Sequence, residues 1–263
     1  MNFKVAGDAK PQIKLLLTAM LVSVGLWVVS FFLPITNYLV YPLQLFATFI
    51  HEGSHVLAAV LTGSSVESLT VSPDASGVVW SQPSGWFSQL FISSAGYLGT
   101  TAFGTFLLVW MRYGFSSRIG LYISAGFVGV MTLVFGLLMP IWNVFDTHAT
   151  FGSVAFTVIS GAVLTAAIFA VGRFTELKWA NFGLAFLSVQ CLLNAIFSLK
   201  TLFLISATTS AHSDAVNMAN ATGLPSIAWV LIWIMVSVVM MGVGLRLYAV
   251  SQKSTASESL FED

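Results

Sequence analysis

The stretch FIHEGSHVLA, residues 50–59, places two histidines and a glutamate inside an otherwise apolar run. His51 and His55 are four residues apart, so on a helix both project from one face about one turn apart, with Glu52 beside that face. Two imidazoles at this spacing are typical of zinc-binding helices. A carboxylate beside zinc that is not itself a ligand can accept a proton from a water that the metal has made acidic. The stretch therefore predicts a zinc site with His51 and His55 as ligands and Glu52 as catalytic base.

The composition places this motif in a membrane. Hydrophobic residues make up 57% of the 263 residues and charged residues only 8%, and the apolar residues form runs long enough to cross a bilayer. We predict an all-α polytopic protein with about six to seven transmembrane helices, an integral multi-pass protein of the cell membrane. The candidate spans are about 13–35, 38–62, 86–111, 118–140, 149–171, 180–206 and 225–249.

The charge balance bears on the class of partner. Ten lysines and arginines balance ten acidic residues, so no basic surface indicates a nucleic-acid partner. No composition change marks a second domain. We therefore expect one transmembrane domain over 1–263, with tails of about 1–12 and 251–263, in contact with the lipid bilayer.

A short β-hairpin is predicted at about 63–85, directly after the motif helix. SVESLTVS (65–72) alternates polar and apolar residues, PDASG (73–77) supplies turn chemistry, and GVVWSQ (77–82) is rich in β-formers. Two roles remain open for it. The hairpin is either a solvent-exposed connector or an exposed strand edge to which a substrate adds as a further strand, with Val71 as a candidate edge position.

The ionisable groups in the motif helix need a reason to be there. A charge in the middle of a bilayer costs about 2.5–3.5 kcal/mol on insertion scales and is rarely kept without a partner. A metal site supplies that partner. A proton relay or a buried polar cluster are the alternatives.

Two further polar or small-residue patterns lie in later spans. Gly96, Gly99 and Gly104 allow close helix packing, and the alternative is that they shape the wall of a site. Asn194, with Gln190 one turn earlier, predicts an interhelical hydrogen bond or, alternatively, a group that holds a substrate backbone or a developing oxyanion.

The chain resembles the site-2 protease family of intramembrane zinc metalloproteases, in particular its compact branch, which has little beyond a membrane core. Four stretches carry the resemblance: HEGSH (51–55), VESLTVSPDASGVVW (66–80), SSAGYLGTTAFG (93–104) and SDAVNMANATGLPSIAWVLIW (213–233). In that family two histidines and an aspartate from a distant helix hold zinc, a glutamate activates water, and a hairpin presents the substrate. The resemblance implies the first three roles for His51, His55 and Glu52.

The third zinc ligand departs from the family pattern. The usual aspartate lies in an Asn-Pro-containing motif that ends in Leu-Asp-Gly, and no stretch here matches it. NVFDTHATFG (143–152) contains Asp146 but neither the proline nor the following glycine.

We assign the third ligand to Asp214. Ser213 can cap a short helix that would hold this carboxylate on a rigid element, and SDA followed by TGLP resembles the compact branch. Asp146 is the alternative aspartate, and His148 and His212 are alternative histidines. The predicted metal set is therefore His51, His55 and Asp214, with Glu52 catalytic.

Two functions are consistent with this predicted site and membrane fold. The first is an intramembrane zinc metalloprotease, a hydrolase that cleaves a peptide bond in or near a transmembrane segment of a membrane-protein substrate. The second is a non-proteolytic protein, either a metal or proton transporter or a scaffold that retains the fold. Transporters distribute ionisable groups along a path, often with repeat symmetry. Here these groups concentrate in one helix and two loops, which favours the protease.

Overall fold

The computed structural model describes residues 10–145, 148–208 and 213–249, and most of these are helical. The helices are α1 (Lys10–Phe32), α2 (Asn37–Leu61), α3 (Trp86–Arg112), α4 (Ser117–Val130), α5 (Met139–Trp142), α6 (Phe151–Phe174), α7 (Leu177–Thr208), α8 (Asp214–Thr222) and α9 (Ser226–Ala249). A 3-10 turn (Pro34–Thr36) precedes α2, and a π-helical segment (Met131–Leu138) joins α4 to α5. The two strands are β1 (Ser65–Val71) and β2 (Gly77–Gln82).

Six helical stretches in the described ranges are long and apolar enough to cross a membrane. They are 13–30 of α1, α3, the continuous run 117–142, α6, α7 and α9. The predicted all-α polytopic class is confirmed. The predicted tails fall mainly on residues 1–9 and 250–263, which lie outside the described residues.

Helix α2, predicted as the second span, is not among these six stretches. The polar side chains of its motif lower its mean hydropathy, although the helix has 25 residues. Protein surrounds it instead, because its residues from Val40 to Ala59 include many buried side chains, among them Phe46, Phe49 and Ile50. The motif helix is therefore enclosed by the other helices, an environment in which ionisable groups can be kept.

The predicted hairpin forms, with β1 and β2 antiparallel. Strand β1 is the inner one: Leu69 and Val71 are fully buried, and β1 packs against α2, the π-helical segment and α6. The Val71 N–H donates to Thr157 Oγ1 at 2.8 Å, and the Thr157 hydroxyl lies 3.3 Å from the Val71 carbonyl. Val71 is thus the wrong choice for a free edge position, since a helix side chain already occupies its outward backbone groups.

Helix α8 is a short element anchored by its own apolar cluster. Ala215 and Met218 are buried together with side chains of α7 and α9, including Val230 and Trp233. Ser213 caps the helix as predicted, because its Oγ accepts from Val216 N at 3.4 Å. Gly223 ends the helix in the left-handed region, with φ of 75°, which favours glycine. The first residue of α8, Asp214, is therefore held on a rigid element.

Candidate metal centre

Helix α2 carries the three motif residues on neighbouring positions of one turn. The rings of His51 and His55 lie 4.9 Å apart between centroids, as expected for residues four positions apart on a helix. Glu52 and His55 are both only 6% exposed. The local periodicity of the helix is enough to produce this half of the site.

Asp214 brings the other half from α8. Its Oδ2 lies 3.4 Å from His55 Nε2 and 3.9 Å from His51 Nε2. The donor atoms of these three residues all lie within 4.8 Å of one another, and they form the one group of three or more potential metal ligands within the described ranges. Two imidazole nitrogens and one carboxylate oxygen are a donor set that zinc prefers in catalytic sites, where the fourth position stays open.

The alternative third ligands have different outcomes. His148 lies at the hairpin, with its ring stacked on Trp80 at 4.3 Å and Nδ1 3.4 Å from Glu67 Oε2. It does not belong to the three-residue group. Asp146 and His212 lie outside the described residues.

The orientation of His55 is set by a backbone carbonyl. Its Nδ1 lies 2.6 Å from the Ile92 carbonyl oxygen, so Nδ1 carries the proton and donates it in this hydrogen bond. In the neutral form that binds a metal, the ring then has its lone pair on Nε2, the nitrogen that faces Asp214. An N–H donated to a backbone carbonyl is the usual arrangement behind a metal-binding histidine.

Gly96 leaves the space in which the donor atoms converge. A Cβ at this position of α3 would collide with Nε2 of both His51 and His55. Since α3 passes this close to the two rings, only a residue without a side chain fits there. The hollow over the two nitrogens is therefore built into the helix packing.

Asp214 is also electrostatically suited to bind a cation. Burial raises the pKa of this carboxyl, but the neighbouring His55 and His51, in their protonated forms, more than offset the burial and hold the pKa below its usual range. A carboxylate must be ionised to bind a metal. The site thus keeps Asp214 in the form that ligation requires.

Glu52 lies beside the donor group and under the hairpin. A Cβ on Gly77, the first residue of β2, would come within 2.6 Å of Glu52 Oε1. The hairpin tip is held over α2 by two hydrogen bonds, from Tyr41 Oη to the Pro73 carbonyl and from Thr48 Oγ1 to the Ala75 carbonyl, both 2.7 Å. The start of β2 is thereby placed directly against the Glu52 carboxylate.

A cavity of about 1040 Å3 opens onto this arrangement. His51, Glu52, His55 and Asp214 all line it, together with β2 from Gly77 to Ser81. Polar side chains of α7, including Asn194 and Ser198, line it as well. The cavity can therefore admit water and a segment of polypeptide to a site otherwise enclosed by helices.

The family model for Peptidase M50B-like proteins matches residues 16–244 of the chain. The chain belongs to the Peptidase M50B-like family. This is the site-2 protease family, so the resemblance seen in the sequence is confirmed. No curated protein and no solved structure matches the chain. Membership indicates an intramembrane metalloprotease, and together with the six apolar stretches it makes this chain a multi-pass integral membrane protein.

The glycine cluster has mixed roles in this M50B-like protein. Gly96 leaves space beside the candidate metal ligands, whereas Cβ atoms at the other two positions would meet neighbouring helices: Ser54 of α2 at Gly99, and Leu192 and Cys191 of α7 at Gly104. Both interpretations of the cluster thus hold, each for different residues. The sequence motif alone does not distinguish them, because all three glycines are spaced for helix packing.

Gln190 and Asn194, the polar pair on α7, have different environments. Gln190 Nε2 donates to Ser23 Oγ of α1 at 2.9 Å, which is the predicted interhelical hydrogen bond. Asn194 lines the cavity, and its Oδ1 accepts from Ser198 Oγ at 3.3 Å. No described residue accepts a hydrogen bond from the Asn194 amide nitrogen, which can therefore donate to an acceptor in the cavity.

Three contributors to the M50B-like site carry no recognisable motif. These are the Ile92 carbonyl, Gly77 and Tyr97, whose ring meets the His51 ring edge-on at 4.7 Å between centroids. A backbone carbonyl has no sequence signature. Gly77 has the sequence pattern of a turn residue, and Tyr97 lies in the small-residue stretch beginning at Ser93, where no pattern marks it as a site residue.

Proposed function

We propose that this protein is an intramembrane zinc metalloprotease that hydrolyses a peptide bond in or near a transmembrane segment of another membrane protein. The observation that carries the proposal is the convergence of His51, His55 and Asp214 beside Glu52, in one cavity with strand β2. Family membership supports the same class of activity.

His51, His55 and Asp214 would hold the zinc ion. The donor set, the Nδ1–H of His55 directed at the Ile92 carbonyl, and the hollow left by Gly96 all fit a metal at this place. When bound, zinc supplies a water of lowered pKa and polarises the peptide carbonyl. The protein residues hold the ion, exclude bulk solvent and move protons.

Glu52 is the base and later the acid. Its carboxylate accepts a proton from the water as the water oxygen attacks the carbonyl carbon, and returns a proton to the amide nitrogen as the C–N bond breaks. The products are a carboxylate and an amine, so the reaction needs no further reactant. Glu52 lines the cavity, is largely buried and lies against Gly77 of the hairpin, so its carboxylate is held where a substrate segment on β2 would reach it.

Strand β2 supplies the edge that receives the substrate. The Ser72 N–H donates to the Ser76 carbonyl at 2.8 Å, and with the observed register the next hydrogen-bonded pair is Thr70–Val78. Backbone groups of Gly77 and Val79 therefore point away from β1. Both residues line the cavity. A substrate segment paired here would be extended, with its carbonyls released from helical hydrogen bonds and lying next to Glu52.

The proposal is tested with purified protein in liposomes, compared with a Glu52→Gln variant. Both are incubated with a mixture of detergent-extracted membrane proteins, and new chain termini are quantified by mass spectrometry alongside zinc content. We expect one zinc per chain in both proteins and new termini only with the wild type. Glu176→Gln, on the loop before α7 and paired with Lys178 at 2.7 Å, should behave as wild type. Zinc-loaded wild type that produces no termini would favour a scaffold or transporter.

A further inference from the structure

Tyr97 of α3 is packed directly against a candidate zinc ligand. Its ring meets His51 edge-on, with an interplanar angle of 85° and centroids 4.7 Å apart. On another side the ring stacks on Trp233 of α9, at 5.4 Å and 19°. Tyr97 also follows Gly96, where an added Cβ would collide with Nε2 of both histidines. The side chain is thus part of the wall that surrounds the donor atoms.

The support behind Tyr97 is rigid. Trp233 is only 1% exposed, and its Nε1 donates to Ser94 Oγ at 3.1 Å. Two flat rings therefore fix the plane of Tyr97, and its hydroxyl takes no part in holding it. A phenylalanine would make the same ring contacts. Ring packing therefore does not explain why this position carries a hydroxyl group.

The Tyr97 hydroxyl is free to act on something in the cavity. It has no hydrogen-bond partner among the described residues. It is also not fully buried, because the fully buried side-chain atoms without a partner do not include it. The side chain lines the cavity that contains Glu52 and Asp214. By contrast, the Tyr41 hydroxyl is used structurally, on the Pro73 carbonyl. A tyrosine hydroxyl in a largely apolar wall normally finds an acceptor.

The proposed reaction creates such an acceptor. Attack of water on a peptide carbonyl places negative charge on the carbonyl oxygen, and a neutral donor already in position stabilises that charge more than it stabilises the substrate. Glu52 and Asp214 cannot donate while ionised. Tyr97 can, through its phenolic O–H.

We propose that Tyr97 is a catalytic hydrogen-bond donor to the oxygen of the attacked carbonyl. The inference rests on the proposed protease function. It differs from a positioning role toward His51, which would come from the ring and would survive removal of the hydroxyl.

The test compares Tyr97→Phe with the wild type in cleavage and in binding. We expect kcat to fall about 100-fold, as for loss of one oxyanion donor, with KM and zinc content unchanged. The affinity for a peptide phosphinate, whose charged oxygens imitate the developing oxyanion, should fall by a similar factor. The affinity for the uncleaved peptide, measured in a Glu52→Gln background, should not change.

Tyr122→Phe is the matched control. Tyr122 lies on α4 with its ring against Phe169, and it does not line the cavity, so all five quantities should stay at wild-type values. Wild-type phosphinate affinity in Tyr97→Phe, or loss of zinc from it, would overturn the inference. The two failures are distinguishable. A wild type that binds zinc and phosphinate but cleaves nothing refutes the protease function alone, and the phosphinate comparison still tests Tyr97.

Discussion

Asp214 lies 3.4 Å from His55 although most of the chain separates them. Helix α8 makes this contact possible, because its apolar face packs against α7 and α9 while its first residue reaches the cavity. A carboxylate at a capped helix start is held in one place, which a flexible loop aspartate is not.

Asp214→Ala should therefore lose zinc. Removing a ligand should weaken zinc affinity by more than the roughly 100-fold that loss of an outer-shell partner costs, and cleavage should fall with it. Metal analysis after dialysis measures this. Asp146→Ala, His148→Ala and His212→Ala, which remove the alternatives that the sequence left open, should keep their zinc. The reverse pattern would move the third ligand away from α8.

Gly96→Ala should damage the metal centre without unfolding the protein. The new methyl group would occupy the space of both Nε2 atoms, so one or both rings must move and zinc affinity should drop. Gly126→Ala on α4 is the control, since nothing lies within 4 Å of a Cβ there. The control should be neutral or more stable by up to about 1 kcal/mol, from helix propensity. Equal zinc retention in both variants would show that α3 shifts enough to accommodate a methyl group at position 96.

Val79→Pro should reduce cleavage while sparing zinc. Proline removes the outward N–H that would pair with the substrate, and leaves the ladder pair Thr70–Val78 in place. Val79→Ala shortens the same side chain but keeps the N–H, so it should retain far more activity. The ratio of the two cleavage rates measures the backbone contribution. Equal rates would mean that the substrate does not add to β2.

Thr157→Val should destabilise the hairpin at the covered edge of β1. It leaves the buried Val71 N–H without an acceptor, at a cost of about 1–3 kcal/mol. Thr165→Val on the same helix is the control, because the buried Thr165 hydroxyl has no partner among the described residues and its loss should be neutral or stabilising. Thermal unfolding in detergent compares them. A larger loss in Thr165→Val would contradict this view of β1.

The parts of the protein that were predictable depend on short-range rules. The pairing of His51 with His55 follows from the period of one helix, and the hairpin follows from turn residues between two β-rich runs. The membrane class follows from run length and composition. The cap at Ser213 is equally local. Each of these needs no knowledge of what packs against the segment.

Only the tertiary structure decided which partners meet across the chain. Val71 and Val79 lie on opposite edges of one hairpin, and Thr157 of a distant helix determines that the β1 edge is covered. Gly96 and Gly99 differ only in which side chain of α2 they face. The meeting of Asp214 with two histidines depends on how α8 packs between α3, α7 and α9. Such contacts are long-range, and their free energy comes from packing that no local pattern encodes.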